Sequence, residues 1–302
     1  MAPTKVALAG ATGNLGVHVL EALLGAGYQV TVLSRTGGNS SKLAKHSKLT
    51  IAEVDFNSTN SLLAPLEGVE VVISCLATLA IGSQNRLIDA AVATGVKRFI
   101  PAEFGMDSRN HLCMDLPVCV PKIATQKYLV EKVASNQTFS FTGIANGLFL
   151  DWGLEVGFIV NPGSHTATLY NGGDIPFSTT TLAAVVKAIV GVIENQDATA
   201  NRILYIHSAV TTQNKLIQYA RDIDRKEWIT SVKNTEDVRQ ESLAELAKGT
   251  TGDTQKAMDG FCVCAMWAAG YGGDFTGHLD NDLVGVKSLN EDELRAIVGS
   301  LL

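Results

Sequence analysis

The stretch Gly10–Gly16 constrains this chain more than any other. Lys5–Gly10 (KVALAG) is a short apolar run of strand character, and Gly10-Ala11-Thr12-Gly13-Asn14-Leu15-Gly16 follows without a break. Apolar residues then recur at Leu15, Val19, Leu20, Leu23 and Leu24, the spacing of one helix face. The loop therefore joins a strand to a helix in the pattern GxxGxxG. Gly10 permits the tight turn, Gly13 lets the backbone approach a pyrophosphate, and Gly16 lets helix and strand pack closely. The helix start offers N–H groups and a partial positive charge to phosphates. Glycines also make ordinary turns, so the triplet alone carries little. Its strand–loop–helix setting makes Gly10, Thr12, Gly13, Asn14, Leu15 and Gly16 candidate dinucleotide ligands.

The same alternation continues. Gln29–Arg35, Leu49–Asp55, Val69–Leu76, Arg98–Glu103 and Phe139–Ala145 read as further strands. Helices are expected over about 84–94 and from Pro121 to about Ala134, since proline suits a first helical turn. This order implies an α/β fold: a Rossmann-type, doubly wound parallel sheet with helices on both faces and ligands at the strands' carboxyl ends. After Asn146 the rhythm changes, and Trp152, Trp228 and Trp267 are the only tryptophans. Helices are expected over 180–194, 211–223 and 237–248, with a strand at Ile203–His207 that can still join the sheet. Asn290 with Glu293 marks a capping box on a last helix, 290–302. Residues 1–150, which also receive 175–210, are expected to form the dinucleotide-binding domain. Residues 151–302 are expected to be mainly a smaller substrate-binding region.

Composition excludes several classes. The 302 residues are 46% hydrophobic and 18% charged, which allows a sizeable core and excludes a disordered chain. Lys and Arg number 24 against 30 Asp and Glu, a net charge of −6, and this argues against a nucleic-acid partner. The apolar stretch 69–82 is too short and too polar to span a bilayer. The N-terminus passes from Met-Ala-Pro-Thr-Lys straight into a strand without a leader pattern, so a cytoplasmic protein is expected. The five cysteines contain no CxxC pair and the six histidines form no cluster, so no metal is expected.

The end of the second strand bears on which dinucleotide binds. An NAD site usually places a carboxylate there, on the ribose 2′-hydroxyl. This chain has Ser34-Arg35-Thr36 instead. Arg35 can stack on adenine and pair with a 2′-phosphate, with Lys42 adding charge, so NADPH/NADP+ is the expected cofactor. Asp55 and Phe56 end the third strand, where an adenine edge would lie.

Several blocks in order resemble one known family. They are GATGNLG (10–16), VLSR (32–35), GVKRFIPAEFGMD (95–107), PVCVPK ending at Lys122, TGIANGLFLDW (142–152) and GGDIPFSTT (172–180). The chain resembles an NmrA-like, isoflavone-reductase-like atypical short-chain dehydrogenase, with wording closest to fungal members. The resemblance is good to about residue 210. It implies a catalytic lysine on the helix behind the EFG loop, one that serves as general acid/base and also binds the cofactor at the nicotinamide ribose. Lys122, just after Pro121, matches it best, whereas gap-free counting back from Phe149 reaches Lys127. Tyr128 and Lys132 fit the YxxxK spacing of typical short-chain dehydrogenases, a spacing common by chance on helix faces.

Strand ends supply the other candidates. Cys75, Leu76 and Ala77 end the fourth strand, and Ala102, Glu103 and Phe104 the fifth. Asn146 and Phe149 end the sixth and resemble the family's nicotinamide contacts. Asp151, Trp152, Trp267 and Tyr271 are expected to line the substrate mouth. The resemblance implies an NADPH-dependent reductase of a small aromatic or heterocyclic secondary metabolite, with Lys122 assisting hydride transfer. Two alternatives stay open: a redox-neutral rearrangement or cyclisation at the same site, and a non-catalytic NADP(H)-sensing regulator that binds a partner protein. The oligomeric state is open.

Overall fold

The apolar runs become strands of one parallel sheet in a computed structural model that describes residues 4–302. The first residues of the segment read for a leader, Met1 to Pro3, lie outside the described residues. In chain order the first elements are β1 (Lys5–Ala9), α1 (Gly16–Gly25), β2 (Gln29–Arg35), β3 (Leu49–Val54), α2 (Thr59–Leu66) and β4 (Val71–Ser74). Then come α3 (Asn85–Ala93), β5 (Arg98–Ile100), α4 (Val120–Ser135), β6 (Ser140–Ala145), β7 (Leu148–Phe149), α5 (Leu150–Glu155) and β8 (Thr166–Tyr170). Next are β9 (Phe177–Thr180), α6 (Leu182–Glu194), β10 (Arg202–Tyr205), β11 (Ala209–Thr211) and α7 (Gln213–Asp224). The last are β12 (Ile229–Lys233), α8 (Thr235–Ala247), α9 (Thr254–Trp267) and α10 (Glu291–Gly299).

The main sheet has seven strands in the order β10-β6-β5-β4-β1-β2-β3. The expected doubly wound α/β fold is thus observed, and the strand over Ile203–His207 joins it as β10. From β1 the chain winds outward through β2 and β3, then returns to β4 on the other side of β1. That reversal is the switch point where such sheets open a crevice at their carboxyl ends. The central strands β1 and β4 are buried almost throughout, which explains their unbroken aliphatic runs. The edge strand β3 leaves Thr50, Ile51 and Glu53 exposed and buries only Val54 fully.

Several boundaries differ from the expected ones, and for two of them the physical reason is local. The fifth strand was expected to reach Glu103 but stops at Ile100. Pro101 has no N–H for the ladder, and Glu103 N–H folds back onto Pro101 O at 2.8 Å. The helix expected from residue 237 starts at Thr235, because the Asn234 side chain accepts Glu236 N–H at 2.8 Å and caps it. The capping box of Asn290 and Glu293 is present at α10.

The described chain forms two compact units. One comprises residues up to Glu103, Pro121–Ile144 and Val186–Leu204, and so holds the main sheet. The other comprises Phe104–Val120, Ala145–Val185 and Tyr205–Leu302. The second unit has two small sheets, β11-β9-β7 and β12-β8, and its own core around Leu150, Leu216, Phe261 and Trp267. Among the described residues no helix is long and apolar enough to cross a membrane.

Candidate functional site

At the tip of β1 each glycine answers a different constraint. Gly10 has φ +81°, and a Cβ there would collide with the Cys75 carbonyl at the end of β4. A Cβ on Gly16 would strike the Gly10 carbonyl, so α1 approaches β1 as closely as it does only through glycine. Gly13 is different. Its N–H donates to Gly10 O at 3.0 Å, and an added Cβ would meet nothing nearer than that same oxygen at 3.4 Å. Internal packing therefore explains Gly10 and Gly16 but not Gly13. Thr12, Gly13 and Asn14 are exposed, whereas Leu15 is buried and fixes the loop to the core. Among the described residues no side chain caps α1, and its first turn carries no acidic residue. A helix start without such groups keeps its partial positive charge uncompensated by the chain's own side chains.

Arg35 lies at the exposed end of β2. The chain turns sharply behind it, with Gly38 N–H donating to Arg35 O at 2.8 Å and Gly37 at φ +71°. Ser34 Oγ donates to the same carbonyl at 3.3 Å. Among the described residues Arg35 has no carboxylate partner, and the same holds for Lys42. Asp55 is engaged locally: its carboxylate accepts Asn57 N–H at 2.8 Å, and Phe56 beside it is half-buried.

At the end of β4, burial pushes the Cys75 thiol up to about 12, so it is no thiolate nucleophile at neutral pH. Leu76 is half-buried and Ala77 exposed there. At the end of β5, Ala102 and Glu103 are buried. Lys122 sits in the first turn of α4, 4% exposed, and its Nζ donates to Glu103 O at 2.6 Å. Gln126, one turn on, donates from Nε2 to Glu103 Oε2 at 3.0 Å. The Glu103 stem lies over Gly143 of β6, where an added Cβ would come within 3.3 Å of Glu103 Cγ. Gln84 accepts Ala102 N–H on Oε1 at 3.0 Å. Sequence reasoning missed Gln84 and Gln126; a polar residue at each helix's first turns was their only local signal.

The two alternatives to Lys122 have other surroundings. Lys127 is exposed on the outer face of α4. Tyr128 and Lys132 turn toward α3, where Tyr128 Oη donates to Asp89 Oδ1 at 2.6 Å and Lys132 Nζ pairs with it at 2.6 Å. Burial, then the bond to Asp89, pushes the Tyr128 hydroxyl up, which makes it a poorer acid.

Phe104, Asn146 and Phe149 belong to the second unit. Asn146 is fully buried, with its Nδ2 on Gly147 O at 3.0 Å and its Oδ1 without a partner. Phe104 and Phe149 are half-buried, and the Phe149 ring meets Trp152 edge-on at 6.4 Å. Asp151 and Trp267, expected at a substrate mouth, are engaged otherwise. Both Asp151 oxygens accept Leu182 N–H at 3.1 Å, so this carboxylate caps α6. Trp267 is fully buried among Phe158, Tyr170 and Phe177, with its Nε1 unpartnered. Trp152 and Tyr271 are half-buried, and Tyr271 O accepts the Cys113 thiol at 3.3 Å. The five cysteines are free thiols, and among the described residues no three His, Cys, Asp or Glu side chains gather as metal ligands.

Comparison with known proteins agrees with the fold. The model of the NmrA-like family matches residues 3–226. Oxidoreductase aprR of Aspergillus flavus is 32% identical over 301 residues, covering 97% of this chain and 98% of that protein. An isoflavone reductase homolog, IRL, of Zea mays is 29% identical over 225 residues, covering 69% and 70% respectively. The solved binary complex of leucoanthocyanidin reductase with NADPH, from Vitis vinifera, matches with a TM-score of 0.75 at 18% identity. That match covers 98% of this chain and 99% of the other, and it shows a shared fold. On the family match and the extent of the Aspergillus flavus relative, this chain belongs to the NmrA-like family.

Proposed function

We propose that this chain is a cytoplasmic NADPH-dependent reductase of a small aromatic or heterocyclic metabolite, with Lys122 as its proton donor. The observation that carries the reading is the Gly10–Gly16 turn. Gly13 is a glycine that internal packing does not require, at the start of a helix no side chain caps. A pyrophosphate satisfies both conditions. Arg35, exposed and without a carboxylate partner among the described residues, suits a 2′-phosphate. The relatives are consistent with this, one being named an oxidoreductase and another having been solved with NADPH.

NADPH would be held by Gly10, Thr12, Gly13, Asn14, Leu15 and Gly16 at the pyrophosphate, and by Ser34, Arg35 and Thr36 at the 2′-phosphate. Asp55 and Phe56 would border the adenine. Cys75, Leu76, Ala77, Ala102, Glu103, Phe104, Asn146 and Phe149 would lie toward the nicotinamide. When bound, the cofactor supplies two electrons as hydride. The protein's own contribution is orientation and a proton. Lys122 is tied to the Glu103 carbonyl, so its ammonium is held in place before substrate arrives, and it donates a proton from Nζ as negative charge develops on the substrate. The main-sheet unit is the cofactor domain. Residues 151–302 mainly receive the substrate, with Trp152 and Tyr271 as aromatic surfaces.

Arg35→Asp tests the cofactor assignment. Loss of a charge-assisted pair with a phosphate is expected to weaken NADPH by about 10- to 100-fold in a calorimetric titration, with NADH changed only a few-fold. Equal losses for the two nucleotides would remove Arg35 from the 2′-phosphate.

A further inference from the structure

Resting on the reading of Lys122 as proton donor, we infer that Gln84 is a positioning residue that fixes the Lys122 ammonium through the strand end at Ala102 and Glu103. Gln84 lies where the turn after β4 enters α3, and it is 1% exposed. Both ends of its amide are committed. Nε2 donates to Ile81 O at 3.1 Å, and Oε1 accepts Ala102 N–H at 3.0 Å. Rotating the amide by half a turn would set N–H against N–H and oxygen against oxygen, so its surroundings fix its orientation.

The consequence reaches Lys122 along a short path. Beyond Ile100 the chain has left the sheet, and Pro101 supplies no N–H. Three bonds hold the segment that follows. Ala102 N–H is held by Gln84, the Glu103 carboxylate is bound by Gln126, and Glu103 O receives Lys122 Nζ at 2.6 Å. Gln84 thus ties the segment that carries the acceptor of the ammonium to the turn before α3. Without Gln84, Ala102 N–H is a buried donor lacking this acceptor, and the segment moves to find another. The Glu103 carbonyl moves with it, and the ammonium loses its fixed place.

The test needs no substrate. In full-length protein labelled with [15N]lysine, the Lys122 ammonium resonance is assigned by its loss in Lys122→Arg, and its hydrogen exchange is measured at mildly acid pH. In the wild type it exchanges more slowly than exposed Lys127. In Gln84→Met the exchange at Lys122 is expected to rise about tenfold, the effect of losing one net hydrogen bond. Gln84→Asn, too short to reach Ala102, is expected to do the same and covers the case in which the methionine variant does not fold. Gln84→Glu, protonated in this buried place at mildly acid pH, keeps an acceptor for Ala102 N–H and a donor for Ile81 O, and restores slow exchange. The Lys132 resonance, paired with Asp89, is unchanged in all three. With any substrate that is turned over, Gln84→Met lowers kcat by about 10- to 100-fold at nearly constant KM for NADPH. The inference is overturned if Lys122 exchange is the same in wild type, Gln84→Met and Gln84→Asn. It is also overturned if wild-type Lys122 exchanges as fast as Lys127. Full turnover in Lys122→Met would remove the proton-donor reading while leaving the exchange result standing, so the two failures are distinct.

Discussion

Lys122→Met is expected to lower kcat by about 10²- to 10⁴-fold, the usual contribution of a positioned general acid, while NADPH still binds. The expectation follows from place and partner. Lys122 is buried in the first turn of α4, and its Nζ rests on Glu103 O at 2.6 Å beside the end of β5. Methionine keeps most of the stem's volume and removes only the proton-bearing group. The Glu103 carbonyl then loses one donor, at a cost of about 1–3 kcal/mol in stability. Circular dichroism and the unfolding midpoint separate that cost from the catalytic effect. Lys127→Ala is the matched control: an exposed side chain whose loss should leave turnover within about twofold, as surface substitutions are near neutral. A primary alkylamine added to Lys122→Ala should recover part of the lost rate, because it returns an ammonium to the vacated space. Loss of activity in Lys127→Ala with full activity in Lys122→Met would move the role to Lys127.

The second large effect concerns stability. Arg98→Met is expected to destabilise the protein by about 3–5 kcal/mol, in the range of a broken buried polar network. Arg98 starts β5 and is 1% exposed. Its Nε donates to Ser140 Oγ at 2.9 Å, and one terminal nitrogen donates to Thr142 Oγ1 at 2.7 Å and Thr199 Oγ1 at 2.8 Å. The other terminal nitrogen donates to Gln196 O. Each hydroxyl is itself oriented: Ser140 donates to Lys97 O, Thr142 to Thr199 O and Thr199 to Asn195 O. Their lone pairs are thereby turned to the guanidinium. Burial lowers the guanidinium to about 10, with Asp197 partly offsetting it, so it stays charged at neutral pH. One side chain thus joins β5 to β6 and to the segment before β10. Arg98→Lys should lose much of the same stability, since one ammonium cannot span all these acceptors. The measurement is the urea midpoint at unchanged m, and a shift worth less than about 1 kcal/mol would contradict this account.

The alternation of strands and helices in the main sheet was legible because its signals are local. A strand, a glycine turn and a helix with apolar residues at 15, 19, 20 and 23 lie within one stretch of chain. Arg35 at a strand end and Lys122 behind Pro121 were legible for the same reason. Other elements lacked a local signature. In α2 only Leu62 and Leu66 are buried, and Pro65 lies inside it. In α9 the stretch from Phe261 to Trp267 is apolar on nearly every face, so no amphipathic period marks it. Residues 229–232 of β12 are exposed, so it shows no inward and outward alternation. The roles of Arg98, Gln84 and Asp151 were illegible because their partners are distant in sequence. Thr199 lies 101 residues from Arg98, Ala102 lies 18 from Gln84, and Leu182 lies 31 from Asp151.

The central claim is that the Gly10–Gly16 turn and Arg35 form a site for NADP(H). The most direct measurement is a calorimetric titration of the purified chain with NADPH, NADP+, NADH and NAD+. The account predicts tight binding of the two 2′-phosphorylated nucleotides and binding of the other two weaker by about 10- to 100-fold. Binding of none of the four would contradict it, and so would equal binding of all four.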